Sequence, residues 1–362
     1  MARLSRREFL RLSAAGMGAL VYAACQAAPP VARATRAAPA SHSTPSPTLP
    51  VESNPAPIGQ AELPEGFGAG RLTPLEEFYV QSYDVAPSAV LDNWALDVTG
   101  LVEKPLRITW DDLVAFPAQK QMQTLECIGN PVGGRLIANT TWRGTLFKAI
   151  LDEAVLKSNA AHIVFSCEDE YTTTVSLAQV THERCLLAYE MDGKPLIETH
   201  GFPVRALIPG VYGQKQPKWV VGLHVVEHYS QGTWEKDGWS DEALIRLNAR
   251  IETPQNHQFI PADQPFFVTG VAMADLSGVR RVEVSADGGA SWQEADLLSG
   301  PTESVWTLWA WKWDNPHPGQ YQVVARVTDG RNRAQSKVGG FLSGVFPDGT
   351  SDMHAVPVRV VG

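Results

Sequence analysis

The chain has 362 residues, 44% hydrophobic and 19% charged, with a formal net charge of −9 at pH 7. That balance is ordinary for a folded protein, and an acidic chain without a basic stripe disfavours nucleic acid as a partner. Its four cysteines, Cys25, Cys127, Cys167 and Cys185, form no CxxC pair, which excludes a zinc ribbon, a thioredoxin motif and a CxxCH haem site.

Residues 5–10 read Ser-Arg-Arg-Glu-Phe-Leu, and an apolar run follows from Leu12 to Ala24. The Arg6-Arg7 pair before a short apolar run matches a twin-arginine export signal; an ordinary secretory signal is the plainer alternative. The run is too short to span a bilayer of ~30 Å. Ala23-Ala24-Cys25 resembles the end of a lipoprotein signal, although Tyr22 fits poorly there. Lipid anchoring at Cys25 and cleavage nearby with loss of the thiol both stay open. The expected location is periplasmic or otherwise extracytoplasmic.

Residues 26–70 are rich in Ala, Pro, Ser and Thr. They bury too little apolar surface to offset their ordering entropy and read as a flexible tether. Roughly 290 residues remain, enough for two domains. From 71 to 250 short strands and short helices alternate between Gly and Pro turns. Strands are predicted from Trp94 and over Ala161–Phe165. Helices are predicted from Thr109, as N-cap, and over Leu146–Ala154. From 251 to 362 the pattern is strand only. Val282 and Val284 alternate with polar neighbours, as do Tyr321, Val323, Ala325 and Val327. Asp287-Gly288-Gly289 and Asp329-Gly330 are turn signals. Trp306, Trp309, Trp311 and Trp313 load one strand. The fold class is therefore α+β, mostly β, with a mixed domain before an all-β immunoglobulin-like sandwich.

Two segments carry chemistry. Thr124-Leu-Glu-Cys-Ile-Gly-Asn-Pro-Val-Gly-Gly134 sets a thiol ahead of a loop whose backbone N–H groups can approach a ligand. A thiolate is a strong transition-metal ligand, yet a lone Cys in this setting is more often a small buried side chain. Cys127 has no Cys or His at chelating spacing, so it suffices only where a cofactor supplies the other ligands. The second segment runs from His200-Gly-Phe-Pro-Val-Arg205 through Gln216-Pro-Lys218-Trp219. Arg and Lys among Pro-Gly turns suit a phosphate or another anion. A Cys167–Cys185 disulfide and separate burial of the two thiols are both open, burial being the commoner fate.

Glu-Cys-x-Gly-Asn, Trp142-Arg-Gly144, Tyr189-Glu-Met-Asp-Gly-x-Pro-Leu196, the His200–Arg205 run and Lys218-Trp219 occur in an order that resembles the sulfite oxidase family. Val282-Glu-Val-Ser-x-Asp-Gly-Gly-x-x-Trp292 resembles that family's C-terminal dimerisation domain. The resemblance covers almost everything after residue 71. It implies a molybdenum–molybdopterin cofactor without haem, with Cys127 as the metal ligand. It implies that His200, Arg205, Gln216 and Lys218 hold the pterin and its phosphate. Asp169 matches a further contact, and Tyr79, Ser82 and Tyr83 lie in the run Phe78–Tyr83 that passes beside the metal. Gln81 and Trp239 are expected at the reacting centre. The resemblance further implies oxygen-atom transfer, an external electron carrier such as cytochrome c, and a homodimer.

The chain departs from the sulfite-oxidising pattern. Gln81 and Pro131-Val132 stand where those members carry substrate-binding arginines, and Gly238-Trp239 follows Lys236-Asp237 where they carry a tyrosine. Each charge-assisted bond to an oxyanion contributes roughly 1.5–3 kcal/mol, so sulfite is not the expected substrate. A neutral, aromatic pocket is expected instead, with Tyr83, Tyr212 and Trp239 as candidates, and the substrate is expected to be a sulfoxide, an N-oxide or an oxyanion other than sulfite. A sulfite dehydrogenase is the nearest alternative. A non-catalytic exported scaffold retaining the fold is the alternative from another class.

Overall fold

The computed structural model describes residues 63–64, 66–88, 91–339 and 344–362. The export signal, Cys25 and most of the tether lie outside the described residues. The tether's end differs from expectation: Phe67–Arg71 forms a 3₁₀ turn. Phe67 packs on buried apolar side chains, and Arg71 Nη2 donates to the Leu298 carbonyl at 3.0 Å. Burial therefore orders this stretch ahead of residue 71.

In chain order the first strands are β1 (Ala95–Gly100), β2 (Leu106–Thr109), β3 (Ala118–Glu126), β4 (Ile137–Leu146) and β5 (His162–Cys167). There follow β6 (Thr172–Ser176), β7 (Leu186–Met191), β8 (Lys194–Pro195), β9 (Arg205–Leu207) and β10 (Val220–Val226). The helices are α1 (Trp110–Ala115), α2 (Phe147–Ala154), α3 (Leu177–Val180) and α4 (Thr233–Lys236). One sheet has the order β2-β1-β10-β5-β6, with β1 and β10 parallel. The other is β3-β4-β7-β8, with β9 beside β7.

Local sequence explains the short helices. Thr109 Oγ1 accepts from the Asp112 N–H while the Asp112 carboxylate accepts from the Thr109 N–H, a reciprocal cap. In α2, Phe147, Ile150, Leu151 and Ala154 fall on one face and are buried. They join Leu96, Phe165 and Leu223 of the first sheet and Leu187 and Ala206 of the second in one core.

The later strands are β11 (Asn248–Thr253), β12 (Phe259–Pro261), β13 (Phe266–Met273), β14 (Val279–Ser285) and β15 (Gln293–Glu294). The last are β16 (Asp296–Leu298), β17 (Thr307–Trp313), β18 (Gly319–Asp329) and β19 (His354–Val361). They form two sheets, β11-β13-β17-β16 and β12-β19-β18-β14-β15. Ile251, Val268 and Trp309 of one sheet meet Val282, Val323 and Val358 of the other in a shared core. This is a two-layer sandwich.

The four tryptophans do not share a face. Trp309 and Trp311 belong to the sandwich core, with Trp313 packed beside them. Trp306 precedes the strand and lies with Leu308 in a separate cluster containing Ile128, Ile137 and Tyr212. That cluster joins the sandwich to the cysteine loop. Cys167 and Cys185 are buried free thiols, so no disulfide links them.

After β18 the chain turns on Asp329. Its carboxylate accepts from Ser277 Oγ (2.8 Å), the Arg331 and Arg333 N–H groups (3.0 and 2.7 Å) and Arg333 Nε (2.7 Å). Burial pushes its pKa up, but these bonds outweigh burial and leave it below the ordinary value. A lowered folded pKa contributes stability above the unfolded value of about 3.9, lost as pH falls through the folded value. Urea midpoints should therefore fall between about pH 5 and pH 3, and Asp329→Asn should shrink that fall while lowering stability at neutral pH.

Candidate active site

β3 delivers Glu126 and then Cys127 to a tight loop. The Cys127 N–H donates to the Leu136 carbonyl at 2.9 Å, and the Asn130 N–H donates to the Cys127 carbonyl at 2.9 Å. Gly133 has φ 71°, and a Cβ there would lie 2.3 Å from His354 Nε2. Only glycine fits so close an approach.

Cys127 lines a cleft of about 300 Å³, together with Tyr79, Gln81, Ser82, Tyr83, Asp169, His200, Arg205, Gln216, Lys218 and Trp239. The structure thus brings all of these sequence-predicted residues to one place. Tyr212 and Val132 are elsewhere. Tyr212 is buried, with its hydroxyl accepting from the Arg246 N–H at 3.1 Å, and a Cβ on Gly339 would meet Val132 Cγ2 at 2.9 Å. Neither lines the cleft. Gln216 lines it but holds the scaffold. Its Nε2 donates to the Val211 carbonyl (2.8 Å), while its Oε1 accepts from the Ile208 N–H and Gln123 Nε2 (3.0 Å each).

Among the described residues, the cations of the cleft form no ion pair. Arg205 Nη1 donates to the His200 carbonyl at 3.2 Å, its guanidinium lies 5.2 Å from the Trp142 ring, and its Nε has no partner there. Lys218 Nζ donates to Ser82 Oγ at 2.5 Å and the Thr199 carbonyl at 2.9 Å. Burial pushes the Arg205 pKa down to about 10. Burial, then Arg205, push Lys218 down to about 7 against the pull of Asp169. His200 is lowered to about 4 by burial, then by Arg205 and Lys218. Burial disfavours each charged form, and the groups repel one another. A bound anion would favour the charged forms and so oppose both effects. An anionic group such as a phosphate therefore fits this donor set, with the orphaned Arg205 Nε as a further donor.

Burial raises the Cys127 thiol pKa; the Gly129 N–H opposes this and Glu126 adds to it. Among the described residues no group of three or more His, Cys, Asp or Glu side chains could hold a metal. A metal at Cys127 would need most of its ligands from a cofactor.

Another part of the cleft is aromatic. Trp239 packs edge-on against Phe346 with centroids 5.1 Å apart. Gly238 has φ 91°, and a Cβ there would meet the Phe346 ring at 3.1 Å. Trp234 sits edge-on to Tyr83 at 5.7 Å.

Sequence reasoning missed Trp234, Tyr171 and Gln214, which also line the cleft. Gln214 Nε2 donates to the Ser240 carbonyl at 3.0 Å, leaving its buried Oε1 without a partner among the described residues. It also missed the buried Lys215–Glu235 ion pair, which ties the Gly213–Lys215 turn to α4. A lysine beside the Gln-Pro-Lys run was the available signal, but its partner is distant in sequence.

The family described as the oxidoreductase molybdopterin binding domain matches residues 83–234. A sulfite oxidase of Arabidopsis thaliana is 26% identical over 295 residues, covering 66% of this chain and 75% of that protein. An NADH nitrate reductase of Lotus japonicus is 28% identical over 286 residues, covering 64% of this chain and 32% of its own length. An inducible NADH nitrate reductase of Glycine max is 29% identical over 311 residues, covering 68% of this chain and 35% of its own. The chain thus spans about a third of the nitrate reductases it matches. The fold is shared with the sulfane dehydrogenase SoxCD from Paracoccus pantotrophus, with TM-score 0.70 and 21% identity over 80% of this chain and 82% of that one.

Arg205→Met should weaken binding of a phosphate ester in this cleft by about 10- to 100-fold, the loss of one charge-assisted contact worth roughly 1.5–3 kcal/mol. Calorimetry of cofactor-free protein with a pterin phosphate checks this.

Proposed function

Residues 83–234 form a molybdopterin-binding oxidoreductase domain of the sulfite oxidase family, and on that premise we propose that the protein is an exported molybdenum–molybdopterin oxidoreductase whose substrate is not sulfite. The observation that carries the reading is one half-buried thiol facing a cleft in which buried Arg205 and half-buried Lys218 form no ion pair among the described residues.

Arg205, Lys218 and His200 would hold the pterin phosphate, and Cys127 would bind molybdenum. When bound, the cofactor supplies oxygen-atom transfer and electron storage. Burial disfavours a free thiolate, so Cys127 would release its Sγ proton to solvent only as a positive centre takes the proton's place and neutralises the sulfur. Arg205 and Lys218 are bound to fixed carbonyl and hydroxyl oxygens, so they are oriented before any anion arrives.

The substrate class follows from Gln81, Trp239 and Gly238. A tyrosine at 238 would collide with Phe346, and Gln81 offers no charge to an oxyanion. Aromatic rings near Cys127 exclude water and favour a neutral molecule, and a sulfoxide or N-oxide fits this chemistry. We further propose export by the Arg6-Arg7 signal to a periplasmic or extracytoplasmic site, with lipid attachment at Cys25 as an additional tether. An external carrier such as cytochrome c would take or supply the electrons, and the sandwich would pair two copies.

Protein from a molybdopterin-competent host should contain about one molybdenum per chain. Cys127→Ser should lose one sulfur from the metal's X-ray absorption shell; an unchanged shell would refute the ligand assignment. In turnover with artificial donors and acceptors, sulfoxides or N-oxides should outperform sulfite. A micromolar KM for sulfite would establish the sulfite dehydrogenase alternative.

A further inference from the structure

The cysteine loop is held by the sandwich, whose first strand starts at Asn248, a little ahead of the boundary at 250 expected from the sequence. Asn248 opens β11, far beyond Cys127 in sequence. Its Nδ2 lies 2.9 Å from Glu126 Oε2 and 3.2 Å from Oε1. Asn130 Nδ2 donates to the same Oε1 at 2.9 Å, and Asn130 Oδ1 accepts from the Leu136 N–H at 3.0 Å. The Glu126 carboxylate, buried beside the thiol, is therefore clamped between an amide of the loop and an amide of the sandwich.

The far end of the loop is gripped as well. Arg250 Nη1 donates to the Gly134 carbonyl at 2.8 Å, and Arg250 is paired with Glu252. His354 Nδ1 accepts from the Ile251 N–H at 3.1 Å, and its ring stands against Gly133. Three sandwich side chains thus bracket the segment from Glu126 to Gly134.

We propose that Asn248, aided by Arg250 and His354, is a positioning residue for the Cys127 sulfur, so that the sandwich helps to aim the metal-binding thiol. The proposal rests on the reading of Cys127 as a molybdenum ligand. Residues behind a first ligand fix its orientation, and their loss changes the metal's properties more than the fold's stability. Asn248→Leu keeps similar bulk but removes the amide.

In cofactor-free Asn248→Leu protein, hydrogen exchange at the amides of Cys127, Asn130 and Leu136 should accelerate by about tenfold or more, a local opening. Exchange at Val268 and Trp309 in the sandwich core should stay at the wild-type rate. In metal-loaded protein, the thiolate-to-metal absorption band and the electron paramagnetic resonance signal of the half-reduced metal should shift. A wild-type spectrum in loaded Asn248→Leu protein overturns the proposal. So does exchange that quickens equally throughout the sandwich, which makes Asn248 structural only. If Asn248→Leu does not fold, Arg250→Met carries the same measurements from the loop's other end. Wild-type protein that takes up no molybdenum refutes the parent reading, and the exchange experiment then decides alone whether the sandwich holds the loop.

Discussion

Holding buried Arg205 and half-buried Lys218 in one cleft with no ion pair among the described residues, and only the distant pull of Asp169 on Lys218, is the constraint around which the site is arranged. Two like charges in a low-dielectric site repel each other and lose hydration. The fold meets part of that cost with the His200 and Thr199 carbonyls, the Ser82 hydroxyl and the Trp142 face. It leaves Arg205 Nε unbonded. Gln216 beside them is held by the Val211 carbonyl and the Ile208 N–H, which fixes the backbone around the cations. A protein does not ordinarily keep such a site for packing alone, since apolar side chains of similar size would serve at less cost.

The same cleft changes character toward Cys127. There the walls include Ile128 and Trp239, and Phe346 stands behind Trp239, while Trp234 lines the cleft against Tyr83. Charge sits at Arg205 and Lys218, and the Trp239 ring stands toward the cysteine loop. Gly238 shows how the second half is built, because its backbone conformation strains any side chain and a Cβ there would press on the Phe346 ring. A missing tyrosine is thus part of a packed wall rather than a gap.

Much of this was legible in the sequence because it is local. The Thr109 cap depends on a residue three positions away, and α2 declares itself by the spacing of Phe147, Ile150, Leu151 and Ala154. The cleft residues were legible because they lie in short motifs of fixed order. Long-range choices were hidden. Nothing near Trp306 tells it apart from Trp309, yet one joins the cysteine loop's cluster and the other fills the sandwich. Tyr212 and Val132 sit in the right segments but turn away, since backbone direction rather than residue type decides which face a side chain takes. Glu235 finds Lys215, and Asn248 finds Glu126, only after separate strands have been brought together.

The seam between the halves also sets an order of events during synthesis. Cys127 is made early, but its loop lacks its full set of partners until Asn248, Arg250 and finally His354 of β19 have been made and docked. Contacts of such sequence separation form late, after the local strands and helices. A nascent chain paused between the two halves would carry its thiol on an unbraced loop. Completion of the sandwich would thereby brace the cysteine loop last, through His354 of β19.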